Sequence, residues 1–305
     1  MLQELTASEI QWNMVEAPDG QELVAFVRNA GLTANDAEFV AQNYHRPEMT
    51  VREDYIMFLL QIPVFDKKLR ITTGVPLYIV IRKDTVWTLN FEALPSLQQI
   101  YDDLSKNPEA QEEYFADGPA MVALYIISHL QQGTFTKLDK LRKHIEIAAD
   151  AVFHGNERKM VEEIALLTRD VQDFRSVLRP QKDSFADTPS HSLLSEETKE
   201  VSEVWRRIHN RSLRVWELLE TMTDNIRELG KTNTSLLQHK ENELLRLLTW
   251  YSIITIPVWI FVTPFTPLVG AGVPFQSALL YWGVLLILVL VLFFIFIRFR
   301  RKNVL

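Results

Sequence analysis

The feature that most constrains this chain is an uncharged stretch. From Leu247 to Ile297, 51 residues pass without Asp, Glu, Lys, Arg or His. Charged residues make up 23% of the whole chain, so so long a gap is not the habit of its remainder. A membrane-crossing helix needs about 20 apolar residues, and residues 247–269 and 278–297 each supply that number. The segment 285–297 is apolar on every face rather than along one stripe, which does not suit a helix pair in a soluble core. Between the runs lies "TPFTPLVGAGVP", residues 263–274, with three prolines and two glycines. The expectation is a transmembrane hairpin with its turn at 270–277.

Arg298, Arg300, Arg301 and Lys302 close the second run, and Lys240 and Arg246 precede the first. The excess of basic residues on that side places both termini in the cytoplasm and the turn outside. The opening "MLQELTASEI" has no basic start and no apolar centre, so it does not read as a signal peptide. The absence of cysteine fits a reducing compartment. The expected location is the cytoplasmic (inner) membrane.

The 32 basic and 39 acidic residues give a net charge of −7. With the basic tail set aside, the remainder carries −11, all of it before the first apolar run. That acidity argues against a nucleic-acid partner. It suits a vestibule for cations, and it equally suits ordinary solubility.

Residues 1–118 read as a mixed α/β domain. "DYIMFLLQIPVF" (54–65), "LYIVI" and "VWTLNF" are strand-like, with Lys83 and Asp84 as a hairpin turn, and "AGLTANDAEFVAQN" (30–43) reads as helical. Residues 119–194 form a helical segment, with Leu138, Leu141, Ile145, Ala148 and Val152 at helical spacing and a loop at about 180–194. From 195 to 246 a long stalk helix is expected. Its seam is Val201, Val204, Ile208, Val215, Leu218, Met222, Leu229 and Leu236, at spacings of three and four. Run unbroken to about Thr263, it reaches roughly 100 Å.

Two membrane helices cannot enclose a pathway, so any conducting pore needs several copies. Asn242, Leu245, Thr249, Ser252, Ile256, Trp259, Thr263 and Thr266 recur at spacings of three and four, and five of the eight are polar. Polar groups in hydrocarbon cost free energy unless they face helices or water, which marks this stripe as the candidate lining. The alternative is that its Ser and Thr hydroxyls bond back to their own helix in a pair that conducts nothing. Pro257 removes a backbone hydrogen bond and should kink the span. Beside it, Ile256 and Trp259 are the gate candidates, an apolar ring of the kind that closes by dewetting.

These residues carry a resemblance. "RPEMTVREDYIMFLLQIPVF" and "GVPLYIVIRKDTVWTL" resemble strands of the CorA family of magnesium and metal-ion transporters, and "NELLRLLTWYSIITIPVWIF" is similar to that family's first membrane helix. The closing "RFRRKNVL" is similar to its basic carboxyl end. The resemblance implies a homopentamer in the lipid bilayer: a cytoplasmic α/β funnel, a stalk helix continuing into the pore, and a second helix outside it. It implies passive entry of Mg²⁺ or another divalent cation as cargo, with no cofactor. By position it assigns Asn242, Leu245, Thr249 or Leu248, Ser252, Ile256 and Trp259 to the pore lining. The family's Gly-Met-Asn signature, which would fall near Thr266, Pro267 and Leu268, is missing, and the turn holds no carboxylate. By this resemblance the chain reads as a divergent member whose filter is altered or missing, and the other reading is a non-conducting scaffold or sensor with the same fold.

Competing chemistries are weaker. "GKT" at 230–232 lacks the phosphate-loop Gly at Asn225 and sits in a helix. The seven histidines show no His-x-x-x-His pair, so no metal site can be assigned. Asp102 with Asp103 and Glu112 with Glu113 read as surface charge. The stalk arginines Arg206, Arg207, Arg211 and Arg214 would repel a regulatory metal. No Asp, Glu, Lys, Arg or His lies in 247–297, which disfavours proton coupling. Nothing points to an enzyme.

Overall fold

The computed structural model describes residues 2–43, 46–66, 70–181 and 198–262, together with helical positions 282–283, 286–287, 289–291 and 293–294. The chain divides into two compact units, Met1–Asn233 and Thr234–Leu305.

The first unit is built on a six-stranded sheet in the order β1-β2-β6-β5-β4-β3. The strands are β1 (Leu2–Ala7), β2 (Ile10–Glu16), β3 (Glu48–Val51), β4 (Ile56–Asp66), β5 (Ile71–Ile81) and β6 (Thr85–Asn90). The β2–β6 pair is parallel and every other pair antiparallel. The β5–β6 hairpin turns through Lys83 and Asp84 as the sequence leads one to expect, closed by the Arg82 amide donating to the Thr85 carbonyl at 2.9 Å.

Apolar side chains leave both faces of the central strands, so both faces are covered. Ile56, Phe58, Leu60 and Ile62 point to one side with Leu77, Ile79 and Ile81, under α3 (Pro95–Lys106), α5 (Pro119–Phe153) and the start of α7 (Thr198–Val262). Met57 and Leu59 point to the other with Tyr78, Val80 and Leu89, under α1 (Gly20–Asn29) and α2 (Ala34–Ala41). The unit is thus a three-layer α/β sandwich.

The helices follow from local chemistry. Asp19 caps α1 with a capping box: its carboxylate accepts from Gln21 and Glu22, while Glu22 reaches back to the Asp19 amide. Helix α2 is shorter than the 30–43 read from sequence, because Thr33 caps it and Gly31, at φ +64°, turns the chain before it. Asp36 within α2 takes a bidentate pair from Arg52, at 2.8 and 2.7 Å, and a short hydrogen bond from the Tyr55 hydroxyl. The Arg52 hydrogen bonds hold the Asp36 carboxyl down at about 2 against the usual 3.8.

Residues 119–178 hold two helices, α5 and α6 (Glu157–Leu178), with Gly155 at φ +88° between them; α4 (Pro108–Ala116) precedes them. Against them runs α7, described from Thr198 and continuing through Pro257; the expected start at 195 lies outside the described residues. Its buried seam is Val201, Trp205, Ile208, Val215, Leu219, Met222, Ile226, Leu229 and Asn233. Val204, Leu218 and Leu236, expected in it, are only half-buried, and Trp205, Leu219 and Ile226 are buried instead. Val201, Ile208, Val215, Met222 and Leu229 recur every seven residues, and the second buried row, Trp205, Leu219, Ile226 and Asn233, stands four residues after members of the first rather than three. Arg175 of α6 ties this seam from outside, lying 5.2 Å over the Trp216 ring and donating to Thr223 at 3.0 Å. Midway, the polar Arg211 and Ser212 interrupt it; Arg211 donates to Ser128 at 2.6 Å, and Gln131 of α5 donates to the Ile208 carbonyl at 3.2 Å.

Candidate pore-lining face

The second unit begins with the part of α7 beyond Asn233. From Gln238 to Thr249 every residue is exposed, and the apolar ones do not share a face. Leu244, Leu245, Leu247, Leu248 and Tyr251 are each about three-fifths or more open at 61, 59, 63, 61 and 69%. Successive apolar residues at steps of one, two and three encircle the helix, so no single partner stripe accounts for them. So large an exposed apolar surface marks contact with other chains or with lipid.

Of the expected lining, Asn242, Leu245, Thr249, Ser252, Ile256 and Trp259 all fall on this helix, and all are exposed. Ile256 and Trp259 are 57% and 68% open, on either side of Pro257, which the helix passes without a break. Thr263 and Thr266 lie outside the described residues, as do the turn at 270–277, most of the second apolar run and the basic tail. Among the described residues no helix is long and apolar enough to cross a membrane.

The hydroxyls of the stripe do what the alternative reading of the sequence expects of them. Thr249 Oγ1 donates to the Leu245 carbonyl at 2.8 Å and Ser252 Oγ to the Leu248 carbonyl at 2.9 Å. That removes the cost of an unpaired donor in an apolar setting. It also fixes polarity: with each proton directed into the helix, each oxygen is left as an acceptor.

Above this face the last charges are exposed. Glu243 pairs with His239 at 3.5 Å. Among the described residues no group of three His, Asp or Glu side chains is placed to hold a metal ion. Arg206, Arg207 and Arg214 are exposed, while Arg211 is held against Ser128. Asp103, Glu112 and Glu113 are exposed and Asp102 accepts from Gln98 at 2.9 Å, as surface charge does.

Fold and face together define a class: an α/β sandwich whose longest helix leaves it with an apolar, hydroxyl-bearing surface. The chain belongs to the family described as CorA-like Mg²⁺ transporter proteins, which matches residues 7–301. It is 21% identical over 226 residues to the cobalt/magnesium transport protein CorA of Thermotoga maritima, a match covering 72% of this chain and 62% of that one. The complete structure of the CorA magnesium transporter from Methanocaldococcus jannaschii superimposes with a TM-score of 0.76 at 18% identity, covering 97% of this chain and 93% of the other. The full-length CmaX protein gives a TM-score of 0.72 at 19% identity, over 95% and 88%. At these identities the likeness to solved structures is one of fold.

Proposed function

We propose that this chain assembles as a homopentamer in the cytoplasmic membrane and passes divalent cations, Mg²⁺ or a related ion, passively through a central pore. Residues 247–269 form the lining helix, 270–277 the external turn and 278–297 the outer helix, with both termini in the cytoplasm. Asn242, Leu245, Thr249, Ser252, Ile256, Trp259, Thr263 and Thr266 line the path, and Ile256 with Trp259 narrows it.

The observation that carries this reading is the family match over residues 7–301; the back-bonded pair Thr249 and Ser252, which a non-conducting helix would share, is compatible with it. A hydrated cation presents only water O–H donors to its surroundings, and Mg²⁺ gives up its waters reluctantly. A wall of hydroxyl oxygens with their protons turned away offers that surface acceptors alone. Family membership supports the cargo class. The missing Gly-Met-Asn and the lack of a carboxylate in the turn support a filter of relaxed selectivity. The potential suffices as driving force, since a divalent ion crossing 100 mV gains roughly 4.6 kcal/mol at ~2.3 per charge. No enzymatic step is part of the reading.

The same missing signature favours a second reading, a membrane scaffold or sensor that keeps the fold and does not conduct. Uptake into liposomes of the purified chain separates the two, with dyes for Mg²⁺, Co²⁺, Ni²⁺ and Zn²⁺ and a parallel K⁺ run. Entry of several divalents with little preference is expected. No entry of any ion into vesicles holding intact, assembled protein would leave the scaffold.

A further inference from the structure

A cleft of about 460 Å³ opens in the α/β unit, far in sequence from the lining helix. Its floor is one row across three strands: Glu4 of β1 is the register partner of Asn13 in β2, and Asn13 that of Trp87 in β6. Neighbouring strands lie about 4.8 Å apart, so the row spans roughly 10 Å. The β5–β6 turn forms one wall with Arg82, Lys83 and Asp84. Trp87 is held from behind by Phe26, edge to face at 5.8 Å. Arg82 lies over Gly31, where a Cβ would stand 2.6 Å from its Nη1, so this left-handed glycine gives the guanidinium its seat at the lip.

The floor is chemically incomplete. Asn13 is 1% exposed and neither atom of its amide has a hydrogen-bond partner; Trp87 is 7% exposed and its indole N–H has none. A buried polar group without a partner costs free energy that an apolar residue of similar shape avoids. Two adjacent cases in the floor of a polar cleft point to a ligand.

Charge sorts the ligand. The cleft carries two carboxylates, Glu4 and Asp84, and two cations, Arg82 and Lys83. An ion of either sign meets as much repulsion as attraction, and the volume is that of a small-molecule site. A compact molecule bearing both signs meets complementary partners. We propose that this cleft binds a polar α-amino acid, its ammonium toward the carboxylates, its carboxylate toward Arg82 and Lys83, and its side-chain amide against Asn13. This does not depend on the ion path.

The test uses the full chain purified in detergent, with L-glutamine and L-asparagine as probes and L-valine, glucose and inorganic phosphate as controls. Calorimetry should show saturable binding of the two amides, at least tenfold weaker for valine and absent for glucose and phosphate. Arg82→Ala and Lys83→Ala should each weaken it about tenfold. Asn13→Leu should abolish binding and raise the melting temperature of the ligand-free protein, an increase that a purely structural amide would not give. No binding of either amide, binding unchanged in Arg82→Ala, a preference for phosphate or glucose, or a lower melting temperature in Asn13→Leu would each overturn the proposal.

Discussion

Asp36 receives two bonds from Arg52, 16 residues on, and one from Tyr55, 19 residues on, so a single carboxylate joins α2 to the strand region. Its folded value of about 2 lies below its ordinary 3.8. The stabilisation is therefore complete above pH 4 and fades as pH falls from 4 towards 2. Asp36→Asn should cost about 2 kcal/mol at pH 7 and flatten that acid limb, read by thermal melts between pH 7 and 2. Trp259, the largest side chain on the proposed lining, makes the other residue-scale prediction: Trp259→Ala should raise ion flux severalfold in liposomes, and unchanged flux in a conducting protein would remove it from the gate. The two residues differ in legibility. Trp259 stands at a spacing that the sequence displays. The Asp36 cluster does not, because its members come from two elements whose meeting only the tertiary fold arranges. Asn13 is equally silent, since an Asn in an alternating strand reads as solvent-facing.

Elements with their own periodicity were legible, and elements lacking it were not. β4, β5 and β6 show as near-continuous apolar runs because helices bury both their faces. β1, "LQELTA", holds its place with one buried residue, Leu5, and as an edge strand leaves no pattern to read. The capping box at Asp19 and Glu22 was the signal for α1 that a search for apolar runs passes over. On α7 the spacing revealed a seam but misjudged its phase by one residue. Leu219 is fully buried and Leu218 half-buried. Leu219→Ala should therefore destabilise by about 3 kcal/mol and Leu218→Ala by under about 1, compared by denaturant unfolding; equal losses would restore the phase expected from the sequence.

At the scale of the molecule, the division after Asn233 predicts separable folding. Residues 2–233 expressed alone should melt cooperatively, with Asp36→Asn lowering the transition as much as in the full chain. An aggregated or uncooperative product would mean that the first unit depends on the second. The chain's family was readable from "RPEMTVREDYIMFLLQIPVF" and "NELLRLLTWYSIITIPVWIF", whereas the pairing of β2 with β6 in parallel needed the fold itself, as contacts between residues 10–16 and 85–90 leave no local trace.

The last buried position of the α7 seam is Asn233, 3% exposed, with its side-chain oxygen unpartnered. A seam of leucine and isoleucine alone would tolerate slippage by whole heptads. Here, a slip of seven residues one way seats the Asn233 amide in the slot of Ile226, among apolar neighbours. The same slip drives Lys240 into the slot of Asn233, burying an ammonium at a cost of several kcal/mol. The asparagine works as a one-way detent, giving up a little stability so that the helix resists sliding toward its own N-terminus.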